Sequence, residues 1–389
     1  MRRKGTRKPA SPPRLRIAQA IASRAWGGRE RTPLLLAKGL RDRGHEVTVW
    51  ADPASPAAEE ARRLGLPLFP FRWKGHLHPG GILQILSDLK AADPHLLHLH
   101  LSKDLWMTVP ALYGSRWRNP LFLTKHVGSY IKKSDPLHAW LYRRVDRVFT
   151  CSDVIRRNVI ETTTVPAERV EVSYAPVDME RFQFSGEQRR KTRLPWRVRE
   201  GQPVVGMVAR LSPGKGHEIL MQAAALLHAD MPDVRFRMAG DTSPNEVSYK
   251  EELLNLRDRL GLREVFEYVG YVPDVPGFLS ATDLVVHTAR AEAFGLAAVE
   301  ALACGRPVVG RAGEGLDEIL GDGKGCVRVR SDDPAEWAAA IGGLLRNKPH
   351  YLRLAYQARK SAARFSLETL ALWHEVRYIE ALRQKGILT

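Results

Sequence analysis

Two cations five residues apart, Arg210 and Lys215, stand in the stretch VARLSPGKGHEIL. An apolar run ends at Ala209, a Ser-Pro-Gly turn follows, and a helical pattern begins near Gly216. Both charges are therefore expected at the carboxyl end of a strand, with Lys215 beside a helix N-terminus. A guanidinium can bind two phosphate oxygens at once, an ammonium acts as a point charge, and a helix start adds partial positive charge. Pyrophosphate is the natural guest. The spacing GxxxxGK[ST] is missing, so this is not a Walker loop.

A second constellation is the acid pair Glu292 and Glu300 in EAFGLAAVE, with seven residues between them. Glu292 follows the apolar run LVVHTA and is expected in the loop at a strand end. Gly295 opens a helix, and Glu300 lies inside it among Leu296, Ala297, Val299, Ala301 and Leu302. A carboxylate in such surroundings needs partners. The vicinal hydroxyls of a ribose would serve, and so would a neighbouring arginine. Glu292 could hold a sugar hydroxyl, while the amides of Gly295 and Leu296 could hold phosphate oxygens. A third feature is Gly27-Gly28, where paired glycines let backbone N–H groups approach a phosphate closely. The pattern GxGxxG is absent, which excludes a standard dinucleotide fingerprint there.

These residues need strands to place them. RLRIAQA (14–20), HEVTVW (45–50), LPLFPF (66–71), HLLHLH (95–100), LFLTKH (121–126) and RVFTCS (147–152) read as strands with helical stretches between them. Thr32 reads as the cap of the first helix and Pro33 as its first residue. Around 183–202 the pattern lapses into a basic, weakly periodic stretch. It then restarts with strands at VVGMVAR (204–210), VRFRMAG (234–240), VFEYVG, LVVHTA and RPVVG, and with helices at about 216–229, 246–262 and 295–304. From Asp333 onward the chain reads as helical, broken near Lys348-Pro349 and Phe365. Repeated strand–helix units imply parallel sheets covered on both faces. The expected class is α/β, with two doubly wound Rossmann-like domains facing a cleft. The expected division is a basic tail at 1–13, a first domain at 14–183, a linker at 184–202, a second domain at 203–365 and a final helix at 366–389.

The chain has 389 residues, 44% of them hydrophobic and 26% charged, which excludes a mainly disordered chain. No apolar stretch approaches the ~18 residues of a membrane-spanning helix. Cys151, Cys304 and Cys326 are far apart and form no CxxC, so neither a disulfide framework nor a zinc site is expected, and a reducing cytoplasm fits. The formal charge of +17 calls for anionic partners. Seven basic residues and no acid fall within residues 1–16. Aromatics and basics also mingle at 70–81, 115–120 and 128–144, where Trp140 and Tyr142 beside lysines and arginines suggest contact with an anionic membrane surface.

Taken together, the motifs resemble those of the retaining glycosyltransferases of GT-B fold, family four, which use nucleotide-diphosphate sugars. GGRERTPLLLAKGLRDRGHEVTVW is similar to the family's opening, HLLHLH and LTKHVGS to its histidine-bearing strand ends, and VVGMVARLSPGKGHEILMQAAALL, MAGD and VGYVPDVPGFLSATDLVVHTARAEAFGLAAVEALACGRPVV to its donor-binding half. The resemblance implies that Arg210 and Lys215 neutralise the donor diphosphate, with Gly27 and Gly28 bringing backbone amides toward it. It further implies that Gly295 and Leu296 cap the diphosphate, Glu300 holds the ribose and Glu292 the donor sugar. Gly240 and Val272 would border the nucleotide and its base. His126 would face the donor sugar across the cleft, with His100 at a neighbouring strand end. The final helix would pack back on the first domain.

The implied reaction moves a sugar to an acceptor hydroxyl with retention, by same-face attack assisted by the departing phosphate. No cofactor is expected beyond the donor itself, taken as a UDP-sugar, and no metal, since no DxD-like cluster is seen. The acceptor is expected to be a glycan or lipid-linked precursor of the cell envelope, such as lipopolysaccharide or capsule, reached from the cytoplasm at the inner face of the membrane. A GT-B-fold sugar-nucleotide epimerase is the alternative, and would turn over the donor without an acceptor. A non-catalytic nucleic-acid binder would use the +17 charge but shows no reader motif and leaves Glu292 and Glu300 unexplained. Nucleic acid is therefore not expected as a partner. Ala175-Pro176 and Asp241-Thr242-Ser243-Pro244 stand where the family commonly has Asn-Gly and a glycine-rich turn.

Overall fold

The computed structural model describes residues 12–71, 79–242 and 246–388. All but the last two residues of the basic tail 1–13, residues 72–78 of the aromatic-basic run, and Ser243-Pro244 lie outside the described residues.

Two parallel sheets carry the chain. The first comprises β1 (Arg16–Ile21), β2 (Glu46–Ala51), β3 (Leu68–Pro70), β4 (Leu96–Leu99), β5 (Leu121–Lys125), β6 (Arg147–Thr150) and β7 (Val170–Val172), in the order β3-β2-β1-β4-β5-β6-β7. The second comprises β8 (Val204–Val208), β9 (Arg235–Ala239), β10 (Phe266–Gly270), β11 (Leu284–His287), β12 (Val308–Arg311) and β13 (Cys326–Val329), in the order β10-β9-β8-β11-β12-β13. All residues of β4, β5 and β11 are buried, as the central strands of a parallel sheet covered on both faces are. In each sheet the order reverses beside the opening strand. The crossover helices then leave on opposite faces, and a crevice opens at the carboxyl ends between β1 and β4 and between β8 and β11.

Three local readings change. The first helix runs from Gly28 to Asp42, with Gly27 in the N-cap position and Pro33 inside it. The Thr32 hydroxyl donates to the Gly28 carbonyl at 2.9 Å rather than capping the helix. Pro33 deprives that helix only of the bond to the Arg29 carbonyl, so the helix can begin a turn earlier and present its N-terminus at the two glycines. Within 184–202, read as a linker, residues Gly186–Arg193 form a helix capped by Ser185. It docks through charge, not an apolar stripe: Arg189 and Arg193 both hold Asp283, at 2.6 and 2.7 Å. The edge strands β7 and β13 escape sequence reading because three or four residues carry little periodicity, and pairing with β6 and β12 makes them strands.

The two halves are joined by packing as well as by the chain. Tyr174, Phe294 and Phe365 form a ring cluster with centroids 5.2–5.6 Å apart. Such pairs contribute about 0.5–1.5 kcal/mol each beyond burial, and they seat the segment around Glu292 and Gly295 against the first domain. The chain recrosses beside Val177, whose amide donates to the Phe365 carbonyl at 2.8 Å. The last helix, Leu367–Gln384, then lies on the first helix. A Cβ at Gly39 would stand 2.7 Å from Leu367 Cδ1, so only glycine permits that approach. Arg43 and His45 anchor Glu375 of the last helix.

The basic-aromatic stretch 128–144 differs from its sequence reading. Trp140 stacks on Tyr113 at 5.3 Å and Tyr142 is buried, while Tyr130, Ile131 and Leu137 are the exposed apolar residues there. In the helix Pro136–Arg143 the buried side chains are Leu141 and Tyr142, while Trp140 is half-buried. Among the described residues no helix is long and apolar enough to cross a membrane.

Candidate functional site

The loops after β8 and β11 are locked together. Gly216 takes a left-handed conformation (φ +75°), and a Cβ there would lie 2.6 Å from the Thr288 carbonyl. The Arg290 amide donates to the Gly214 carbonyl at 3.0 Å, and the Thr288 hydroxyl donates to that of Lys215 at 2.9 Å. This clamp delivers Lys215 Nζ to Glu292 Oε2 at 2.9 Å. His287 Nε2 stands 3.7 Å from the same oxygen. Burial pushes the Glu292 carboxyl up, but the neighbouring His287 and Lys215 outweigh it and hold it below the usual carboxylate range. The Glu292 amide donates to Glu314 Oε2 at 3.1 Å, fixing the loop.

Gly295 caps the helix Leu296–Ala303 in a left-handed conformation (φ +100°), where a Cβ would strike Leu316 Cδ1 at 2.4 Å. The amides of Ala298 and Val299 bond the Gly295 carbonyl, so those of Leu296 and Ala297 have no acceptor within the helix. A turn and a half further, Glu300 is buried, and Arg31 Nη1 reaches it from the first helix at 3.2 Å. Burial raises the Glu300 carboxyl, and the charges of Arg31 and Arg181 only partly counter that. The buried Arg31 Nη2 has no hydrogen-bond partner.

Across the cleft, Gly27 and Gly28 meet this surface. A Cβ at Gly27 would stand 3.6 Å from Arg210 Nη2, and one at Gly28 3.2 Å from Leu296 Cδ2. Two helix N-termini, one from each domain, thus face each other with the Arg210 guanidinium between the lobes. Behind them Glu30 is buried, accepting from the Ser23 hydroxyl at 2.8 Å and paired with Arg29 at 2.7 Å.

His126 follows β5 on the same side. Cys151, at the end of β6, donates to its carbonyl at 3.4 Å and approaches the Ala293 carbonyl beside Glu292 at 3.9 Å. Burial, with a smaller contribution from Arg29, pushes the His126 imidazole down to about 3, so the ring is neutral at pH 7. Val272 is half-buried in the loop after β10. At Gly240 a Cβ would fall 1.8 Å from the Ala209 carbonyl, so the neighbouring strand end demands a glycine there. Arg31 and Arg181 are functional candidates that sequence reading missed. Arg31 sits one helical turn after Gly28 and shares its face, but its partner comes from the other domain.

Comparison with known proteins agrees with this fold. Residues 26–181 match the family model Glycosyltransferase Family 4, and residues 188–361 match Glycosyl transferases group 1. A D-inositol 3-phosphate glycosyltransferase of Mycolicibacterium smegmatis is 30% identical over 306 residues, covering 74% of this chain and 67% of that protein. The chain belongs to the family-four, group 1 glycosyltransferases. A Mycobacterium marinum relative of the same description is 31% identical over 310 residues, and the match spans 64% of that protein's length. Anabaena HepE, solved in complex with UDP-glucose, superposes on this family member with a TM-score of 0.79 at 25% identity, covering 95% of this chain and 100% of that one. The two facing Rossmann-like sheets are the GT-B architecture. In this family member the segment Tyr174–Asp178, with Ala175-Pro176 in place of Asn-Gly, packs at the domain junction, where Tyr174 stacks on Phe294.

Proposed function

We propose that this protein transfers a sugar from a nucleotide-diphosphate sugar, a UDP-sugar, to an acceptor hydroxyl with retention of configuration. The observation that carries the reading is the convergence of the two facing helix N-termini, at Gly27-Gly28 and at Gly295-Leu296, with Arg210 and Lys215 in one interdomain crevice. The bond between the anomeric carbon and phosphate ionises toward an oxocarbenium-like state, and negative charge grows on the leaving diphosphate. Arg210, Lys215 and the helix ends are preorganised to stabilise that charge as it develops. The proposed reaction therefore runs without a metal. The acceptor attacks from the face the phosphate leaves, and a phosphate oxygen takes its proton. Glu300 holds the ribose in competition with Arg31, Glu292 holds the donor sugar while oriented by Lys215, and His126 faces that sugar. The UDP-glucose complex of HepE supports the donor class.

For the acceptor we infer a hydroxyl of a membrane-borne envelope glycan, supported by the +17 charge and by exposed Tyr130, Ile131 and Leu137 near Lys132 and Lys133. The description of the mycobacterial relatives favours a second reading, a soluble cyclitol phosphate. Thermal unfolding with UDP-, GDP- and ADP-sugars tests the donor. At a hundredfold excess over Kd, a true donor stabilises by about 2.7 kcal/mol, and Arg210→Ala or Lys215→Ala should abolish that shift. Silence from every sugar nucleotide refutes the proposal. Product formation on liposome-borne glycan against inositol phosphate separates the two acceptors.

A further inference from the structure

Three buried histidines, His98, His100 and His374, and the half-buried His126 lie along the first sheet, and the proposed transfer uses His126 alone. Three of them belong to a hydrogen-bonded chain with one polarity. Gln19, wholly buried in the middle of β1, sets it: its Oε1 lies 2.7 Å from His100 Nε2, and its Nε2 lies 3.4 Å from the Tyr378 hydroxyl oxygen. An amide oxygen can only accept, so His100 Nε2 carries the hydrogen. A neutral imidazole has one donor and one acceptor, so His100 Nδ1 is a lone pair. That lone pair faces His126 Nε2 at 3.4 Å, in nearly parallel rings with centroids 5.7 Å apart. On the other side, Tyr378 accepts from Gln19, which leaves its hydroxyl hydrogen for His98 Nδ1 at 2.7 Å. His98 Nε2 then donates to the Thr124 hydroxyl at 2.7 Å. Burial holds all three rings neutral, which keeps one donor and one acceptor on each. Reversing the chain at one end would require the Gln19 amide, the Tyr378 hydroxyl and each ring proton to reverse together.

We propose that Gln19 and His100 are positioning residues that hold His126 as the Nε2–H tautomer, leaving its Nδ1 lone pair to accept a hydrogen bond from a hydroxyl of the bound sugar. Tyr378, carried by the last helix, accepts from the amide of Gln19 and so connects that helix to the cleft. The sugar contact rests on the proposed transferase reading; the tautomer does not.

Long-range proton–nitrogen spectra of the full chain labelled with 15N-histidine read the tautomer directly. The Nε2–H form of His126 is expected in the wild type, and averaging between tautomers in Tyr378→Phe. In steady-state transfer, His100→Leu should lower kcat about tenfold, the loss of one ordering hydrogen bond, with donor KM little changed. His100→Asn, whose Oδ1 stands where Nδ1 stood, should recover most of that loss. A wild-type His126 protonated at Nδ1 overturns the proposal, as does a folded His100→Leu with full kcat. If no sugar nucleotide is turned over, the functional reading falls, and the wild-type spectrum still decides the tautomer. That spectrum also decides it if His100→Leu fails to fold.

Discussion

Replacing Gly27 by alanine separates binding from folding in a single methyl group. Gly27 sits at φ 177°, an extended conformation that alanine adopts freely. Its added Cβ would meet Arg210 Nη2 and Glu30 Oε2 at 3.6 Å each, ordinary contact distance. Folding should therefore be unharmed, and the loss of unfolded-state freedom should stabilise by about 0.4–1 kcal/mol. The methyl nevertheless occupies the space between the first helix start and the Arg210 guanidinium. A phosphate pushed from about 4 to about 5.5 Å from that cation loses about 1 kcal/mol at an effective dielectric near 20. Withdrawal from the helix N-terminus removes a further ~0.3–1 kcal/mol. Donor affinity should fall about tenfold to thirtyfold, read by titration calorimetry with a UDP-sugar, while the donor-free Tm stays equal or rises. Gly240→Ala should do the opposite, destabilising the protein because its Cβ would strike the Ala209 carbonyl. Undiminished donor affinity in a well-folded Gly27→Ala would mean that the phosphate lies elsewhere.

Two further outcomes follow from buried charge. Glu300→Ala strands Arg31, whose side chain is 17% exposed, and should lower stability by about 3–5 kcal/mol in urea unfolding. Arg31→Met in the same chain should restore much of it, and a loss under about 1 kcal/mol would show that the pair is solvated. Desolvated histidines make the fold acid-sensitive. His126 is held down to about 3, and His217 and His374 to about 4, against about 6.5 when unfolded. Below pH 6.5 the unfolded chain gains protons that the native one refuses, so stability should fall by up to about 1.4 kcal/mol per pH unit for each such ring between pH 6.5 and 4. Asp104, pushed up to about 8 by burial, works the other way: its contribution is present at low pH and is lost as pH rises toward 8. A urea midpoint that holds steady from pH 7 to 4.5 would contradict this reading.

Much of the architecture was local enough to read along the chain. Alternating apolar runs and helical stretches, punctuated by glycine, imply doubly wound parallel sheets. The cations of VARLSPGKG and the acids of EAFGLAAVE sit beside strand ends, and there the structure holds Lys215 and Glu292 at 2.9 Å. Elements defined by a partner rather than by their own pattern were not legible. β7 and β13 are strands through pairing, and the helix Gly186–Arg193 docks through two arginines on a distant aspartate. Pro33 was a misleading helix start because a proline is also tolerated a little way inside the first turns.

Residue type and short-range spacing determined which groups this chain can offer: backbone amides at two glycine-led helix starts, two cations and two carboxylates. Tertiary structure alone decided what each of them faces. Gly27 meets Arg210, Glu300 meets Arg31 and His126 meets His100 across separations that no local pattern encodes. Those distances depend on how two sheets order their strands and how two lobes pack, and both are set by the burial of many side chains at once.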